Sequence, residues 1–199
     1  MIPLKDNIPL SRFPFVTVVL VAINVIVYLL SIRHGGSFFN GPSTETVVHN
    51  AAIPYDFTHP GKYCTLFEVR GESELGPVTV GTESKCEAHP FPGQLKTWET
   101  AFAAMFLHGN ILHIAGNMLF LAIFGPNVED AMGRARYVAF YLLGGLVALA
   151  AQVGVQPNSM APTLGASGAI AGVMGMYLIW FPKNQVRVLA LRTLTWMPA

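Results

Sequence analysis

Residues 137–182 read YVAFYLLGGLVALAAQVGVQPNSMAPTLGASGAIAGVMGMYLIWFP, and this run contains no Asp, Glu, Lys or Arg. A helix needs about 20 mostly apolar residues to cross the hydrocarbon core of a bilayer, so the run is long enough for two crossings. Its middle, residues 156–163, is a polar turn with two prolines. The sequence therefore predicts two membrane helices, near residues 137–155 and 165–181.

Two more uncharged stretches lie closer to the N-terminus, at residues 13–32 and 100–128. We predict one membrane helix in each, near residues 14–32 and 101–125. Apolar helices of this length are rare in the cores of water-soluble proteins, and the first stretch lacks the cleavage site of a signal peptide. The predicted fold is an all-α polytopic membrane helix bundle of four transmembrane helices with a long first loop.

The composition also favours a membrane protein. Hydrophobic residues make up 52% of the 199 residues, charged residues make up 12%, and the mean hydropathy is +0.47. Soluble domains carry about 25% charged residues, so this composition excludes intrinsic disorder and argues against an ordinary water-soluble enzyme. The net charge of +1 provides no basic surface for nucleic acid.

The short flanks of the predicted helices carry lysine and arginine on one side of the membrane. These residues are Lys5, Arg12, Arg134, Arg136, Lys183, Arg187 and Arg192. Because positively charged short flanks stay in the cytoplasm, we predict a multi-pass protein of the cell membrane with a cytoplasmic N-terminus. Segment 33–99, which holds eight acidic and five basic residues, then lies outside.

This external segment contains both cysteines of the chain, Cys64 and Cys86. An oxidising compartment allows a disulfide between them, although two unrelated thiols are the alternative. Short β-prone runs occur at residues 63–69 and 78–80. The histidines of the segment are scattered without metal-ligand spacing, so we expect no metal and no cofactor.

Three polar side chains of the uncharged stretches have a possible chemical use. His113 and Asn117 are four residues apart and share one helical face, while Ser167 falls in the first turn of the fourth helix. A hydroxyl at a helix start can attack a carbonyl while nearby N–H groups stabilise the oxyanion, which is the chemistry of peptide-bond hydrolysis. The structural alternatives are hydrogen bonds between helices and close packing through the small residues Gly168 and Gly172. His108, about 140° around the same predicted helix from His113, makes a poor joint metal ligand.

The chain resembles the rhomboid intramembrane serine proteases in three motifs. Residues 113–117 (HIAGN) resemble the family's H-x-x-x-N, and His108 matches a histidine often found five residues earlier. Residues 127–136 (NVEDAMGRAR) are similar to the family's loop between its second and third helices. Residues 165–168 (GASG) resemble its G-x-S-G. The resemblance covers most of the chain outside segment 33–99, and residues 1–199 are expected to be a partial rhomboid membrane domain.

The resemblance implies a role for each matching residue. Ser167 would be the nucleophile, and His113, Asn117 and the Ser167 backbone N–H would form the oxyanion hole. Gly165 and Gly168 would let the backbone approach the substrate, and Glu129 would be a structural partner for an arginine or for backbone groups. The implied substrates are transmembrane segments of membrane proteins, cleaved near the external interface of the lipid bilayer.

The chain departs from the family pattern in its base. Rhomboids take their base histidine from a sixth helix, whereas this sequence has no histidine after His113. We expect residues 187–199 to lead into a fifth helix, with the base histidine beyond residue 199 in a longer enzyme. Two alternatives stay open: a base-less relative that binds client transmembrane helices without cleaving them, and a base role for His113 that would cost the oxyanion hole one donor.

Overall fold

The computed structural model describes residues 2–73, 76–190 and 193–198. In chain order the elements are β1 (Ile2–Asp6), α1 (Phe15–Ser31), α2 (Thr44–Asn50), α3 (Pro54–Thr58), β2 (Tyr63–Ser73), β3 (Gly76–Glu87), α4 (Thr97–Ala103), α5 (Ile111–Met132), α6 (Arg134–Val155), α7 (Ser167–Trp180), β4 (Gln185–Ala190) and β5 (Thr193–Pro198). Helices make up about half of the described residues, and strands about a fifth. Arg192 and Ala199, which bear on the predicted orientation and the expected fifth helix, lie outside the described residues.

The four apolar helices α1, α5, α6 and α7 fall mainly on the three uncharged stretches. Among the described residues, α5 and α6 are long and apolar enough to cross a membrane, with 22 residues each. The apolar helices α1 and α7 are shorter, with 17 and 14 residues. The absence of charge predicts these helices correctly because a charged side chain is costly to bury in apolar surroundings.

Small residues bring α6 and α7 close together. An added Cβ at Gly168 would lie 2.5 Å from the Cβ of Ala148, and one at Gly172 would lie 3.8 Å from the Cα of Gly144. Helices that pack in lipid gain much of their association from such close backbone contact. The small-residue motif at the start of α7 therefore has a packing role against α6.

Glu129 ties α5 to the beginning of α1. Its carboxylate accepts hydrogen bonds from the backbone N–H groups of Val16 (2.9 Å) and Thr17 (2.7 Å) and from the Thr17 hydroxyl (2.8 Å). A helix start leaves such N–H groups without intrahelical partners, and a carboxylate satisfies them well. Of the two partners that the resemblance allows for Glu129, backbone groups are therefore the ones in contact.

The second and third helices differ in their bounds from the prediction. The region predicted as one helix from residue 101 divides into α4 and α5, because Asn110 caps α5 by accepting a hydrogen bond from the His113 N–H at 2.8 Å. At its other end α5 continues to Met132, so most of the 127–136 motif is helical. Gly133 alone separates α5 from α6.

The all-α prediction is wrong in two places. β1, β4 and β5 form an antiparallel sheet in the order β1-β4-β5, so two paired strands follow α7, and the fifth helix expected after residue 199 lies outside the described residues. The alternation of QVRVLA at residues 185–190 is a strand signal that the prediction did not use. β2 and β3 form a second antiparallel pair, which confirms the β-prone runs, and a disulfide joins Cys64 to Cys86 across it.

Segment 33–99 docks on the end of the bundle where α7 begins. Ala52 and Thr163 exchange two backbone hydrogen bonds, of 3.0 and 2.7 Å. The N–H of Tyr55 donates to the carbonyl of Ser159, and the Thr58 hydroxyl donates to the carbonyl of Pro157. The segment is therefore bonded directly to the turn that leads into Ser167.

Candidate active site

Ser167 is the first residue of α7. Its side chain is exposed, and its hydroxyl forms no hydrogen bond with the part of the chain that the structure describes. The N–H groups of the first turn of a helix have no intrahelical acceptor and carry a partial positive charge. An acyl oxygen bound at Ser167 would therefore find backbone donors beside it.

Gly165 brings the side chains of His113 and Ser167 to one place. Its φ is +118°, a conformation that residues with a Cβ rarely adopt, and its N–H donates to the carbonyl of Ala104 at 2.8 Å. A Cβ built on Gly165 would lie 2.8 Å from both Nε2 and Cε1 of His113 and 3.8 Å from the Ser167 Oγ. The imidazole and the hydroxyl thus flank the same glycine.

The hydrogen bonding of His113 defines which of its ring nitrogens carries the proton. Nδ1 accepts a hydrogen bond from the Gly109 N–H at 3.4 Å. A neutral imidazole that accepts at Nδ1 carries its proton on Nε2. Because Nε2 is the atom near Gly165, His113 presents a hydrogen-bond donor on the side of Ser167.

Asn117 lies one turn further along α5 and is buried. Its Nδ2 donates to the backbone carbonyl of His113 at 3.1 Å. An amide has two N–H donors, so one of them is left over after this bond. Within the described chain no hydrogen bond joins Asn117 to Ser167 or to the His113 ring.

His108 does not share a helix with His113, because the chain between Ala104 and Asn110 is not part of α4 or α5. The side chain is completely buried, and its ring contacts that of His113 edge-on with 5.1 Å between centroids. The predicted separation of about 140° between the two histidines is therefore wrong, because α5 begins only at Ile111. Among the described residues, no group of three or more His, Cys, Asp or Glu side chains is arranged to hold a metal ion.

A cavity of about 190 Å³ opens beside Ser167 on the side of α6. Its wall includes small residues of α4, α6 and α7 and the amide side chain of Gln152; among the small ones are Ala101, Gly145, Ala148 and Gly168. His113 and Asn117 are not part of its wall. Ser167 therefore lies between the donor group of His113 on one side and an open, mainly apolar space on the other.

Sequence reasoning missed the residues that support His113. Gly109 and Asn110 hold the imidazole and the backbone of His113, and Asn three residues before it is an N-cap signal that the uncharged surroundings concealed. The cavity residue Gln152 was also missed, since a single glutamine in an apolar helix carries no motif.

Comparison with known proteins gives the family of the chain. A family model described as "Rhomboid domain" matches residues 95–197. This match includes the three motifs around His113, Glu129 and Ser167. No solved structure matches the chain.

Several curated relatives match over part of their length. "Rhomboid protease GluP" of Bacillus subtilis is 35% identical over 129 residues, which are 65% of this chain and 24% of the relative. "Putative rhomboid protease YdcA" of the same species is 30% identical over 81 residues, which are 41% of this chain and 40% of the relative. The human "Presenilin-associated rhomboid-like protein, mitochondrial" is 30% identical over 92 residues, 45% of this chain and 24% of the relative. The chain thus spans between about a quarter and two fifths of the length of these relatives, and with its matched domain it belongs to the rhomboid family.

Proposed function

We propose that the chain is part of an intramembrane serine endopeptidase that hydrolyses peptide bonds in or near transmembrane segments of membrane proteins. The observation that carries the proposal is the juxtaposition at Gly165, where the Ser167 hydroxyl and the donor nitrogen of His113 both lie within 4 Å of one point. Family membership supports the same activity, since matched relatives include proteins named rhomboid proteases.

In this proposal the Ser167 Oγ attacks the scissile carbonyl and forms a tetrahedral intermediate. The Ser167 backbone N–H, the His113 Nε2–H and the free N–H of Asn117 stabilise the negative oxygen. Each such donor typically contributes about 10²- to 10³-fold to the rate. Asn117 joins this set by rotation of its amide towards the bound substrate.

His113 serves here as a donor and not as the base. The hydrogen bond from the Gly109 N–H occupies its Nδ1 lone pair, so the nitrogen near Ser167 is already protonated. The proton of the Ser167 hydroxyl therefore needs another acceptor, and the resemblance implies a histidine on a sixth helix. A serine hydroxyl without such a base is a poor nucleophile.

The proposed site lies within the outer half of the membrane. The 14 residues of α7 extend about 21 Å, roughly 10 Å less than the hydrocarbon core. If Trp180, at the other end of α7, sits at the cytoplasmic interface, Ser167 lies below the external one. This placement fits four spans with a cytoplasmic N-terminus and an external segment 33–99 that covers the Ser167 end.

A fluorophosphonate probe tests the proposal on the full-length protein in detergent micelles. We expect covalent labelling of the wild type, loss of labelling in Ser167→Ala, and unchanged labelling in Ser159→Ala, a control serine in the turn before α7. Labelling that is equal in Ser167→Ala, or absent from a folded wild type, would overturn the proposal. Capture of client transmembrane helices without any labelling would instead identify a non-catalytic binding protein.

A further inference from the structure

A tight turn at residues 37–41 of the external segment lies against the beginning of α5. Ser37 and Gly41 exchange two backbone hydrogen bonds, of 2.8 and 2.9 Å, which close the turn. The hydroxyl of Tyr28, a buried residue of α1, donates to the carbonyl of Phe38 at 2.7 Å. The turn is therefore closed on itself and anchored to the first membrane helix.

Gly41 is the point where this turn touches the chain before α5. Its φ is +88°, and a Cβ built on it would lie 2.1 Å from the carbonyl oxygen of Gly109 and 3.1 Å from the nitrogen of Asn110. Both are backbone atoms, which cannot move aside as the end of a side chain can. The adjacent N–H of Ile111 donates to the carbonyl of Phe39 at 3.3 Å. The turn and the 109–111 backbone therefore fit together only because residue 41 has no side chain.

The same 109–110 backbone holds His113. The Gly109 N–H donates to the His113 Nδ1, and the Asn110 side chain accepts from the His113 N–H. A shift of the Gly109–Asn110 peptide lengthens the first of these bonds, which is already 3.4 Å. Once that bond is lost, nothing among the described groups favours the tautomer with its proton on Nε2.

We propose that Gly41 is a positioning residue, which acts through the Gly109–Asn110 peptide to hold His113 as an Nε2–H donor facing Ser167. The effect of Gly41 on the His113 tautomer follows from the structure alone. Its consequence for catalysis rests on the function proposed above.

The tautomer is measured directly by ¹⁵N NMR of the His113 imidazole, in full-length protein at a pH where the ring is neutral. We expect the wild type to give separate signals for a bare Nδ1 and a protonated Nε2. In Gly41→Ala we expect these signals to shift towards each other as both tautomers become populated. Gly61→Ala is the matched control, because Gly61 has a φ of +79° but no atom within 4 Å of an added Cβ. Equal ¹⁵N signals in Gly41→Ala and Gly61→Ala would overturn the inference.

A milder variant covers the case in which Gly41→Ala does not fold. Tyr28→Phe removes the hydroxyl that anchors Phe38 and leaves Gly41 in place, so we expect a smaller shift of the same two signals. Wild-type signals in folded Tyr28→Phe, with Gly41→Ala unfolded, would also count against the inference.

The catalytic consequence is read from steady-state cleavage of a transmembrane substrate. We expect kcat of Gly41→Ala to fall by about tenfold or more with KM nearly unchanged, since an interaction made in the transition state is weakened. A tautomer shift in Gly41→Ala together with a wild-type protein that shows no Ser167-dependent labelling would leave the positioning role intact and reject the proposed protease. Labelling that needs Ser167, together with an unchanged His113 tautomer in Gly41→Ala, would support the proposed protease and reject the positioning role of Gly41.

Discussion

A methyl group at residue 165 is the sharpest perturbation of the proposed site. In Gly165→Ala the new Cβ would lie 2.8 Å from two ring atoms of His113, whereas ordinary contacts begin at 3.4 Å. The ring must therefore retreat by roughly 0.6 Å, which exceeds the tolerance of about 0.5 Å for a catalytic group. The loss of one oxyanion donor lowers the rate by about 10²-fold, so we expect fluorophosphonate labelling of Ser167 to slow by that factor.

Part of the effect of Gly165→Ala arises from backbone strain alone. A Cβ in the left-handed region costs about 1–2 kcal/mol of stability, which Gly61→Ala shares without the contact to a ring. We therefore compare labelling rates at equal folded fraction, taken from thermal unfolding of each variant. If Gly165→Ala labels as fast as Gly61→Ala under these conditions, His113 is not the donor that the geometry indicates.

Three further predictions concern stability. Glu129→Ala leaves the Thr17 N–H and hydroxyl without their acceptor at the start of α1. We therefore expect the free energy of unfolding, measured in detergent, to fall by about 3 kcal/mol. A change below about 0.5 kcal/mol would contradict this role. Gly168→Ala brings its new Cβ to within 2.5 Å of the Cβ of Ala148 and should destabilise the folded protein by about 1–3 kcal/mol. The second substitution Ala148→Gly should restore the stability. If it does not, the strain arises from another contact. Burial raises the pKa of Asp56 to about 6, above its unfolded value, so stability is greatest below about pH 4 and falls by about 2 kcal/mol as the pH rises through 6. Asp56→Asn should remove this slope from unfolding curves measured between pH 4 and 7, and a slope that persists would assign it to another group.

The sequence predicts the apolar helices well because the property that identifies them, a long stretch without charged residues, can be seen within each segment. The bounds of α1, α6 and α7 lie close to those expected from the uncharged stretches 13–32 and 137–182, since a buried charge would be costly wherever the helix packs. Helix starts depend on finer signals. Gly109 and Asn110 are uncharged and so merge with the apolar stretch, although Asn110 is the N-cap that begins α5.

The pairing of β1 with β4 is harder to predict because the two strands are distant in sequence. β1 and β4 lie at opposite ends of the chain, and the sequence of neither strand indicates that the other is its partner. The same limit applies to the site. Motif order relates His113 to Ser167, but the contact of Gly41 with Gly109 depends on two backbone conformations that no local pattern specifies.

The two hydrogen bonds between Ala52 and Thr163 couple segment 33–99 mechanically to the start of α7. An antibody that binds segment 33–99 and draws Ala52 away would displace Thr163, and with it the turn that leads into α7. Inhibition of this kind needs no molecule that dissolves in lipid. If segment 33–99 lies outside the cell, as in the proposed topology, this route is open to reagents that never enter the bilayer.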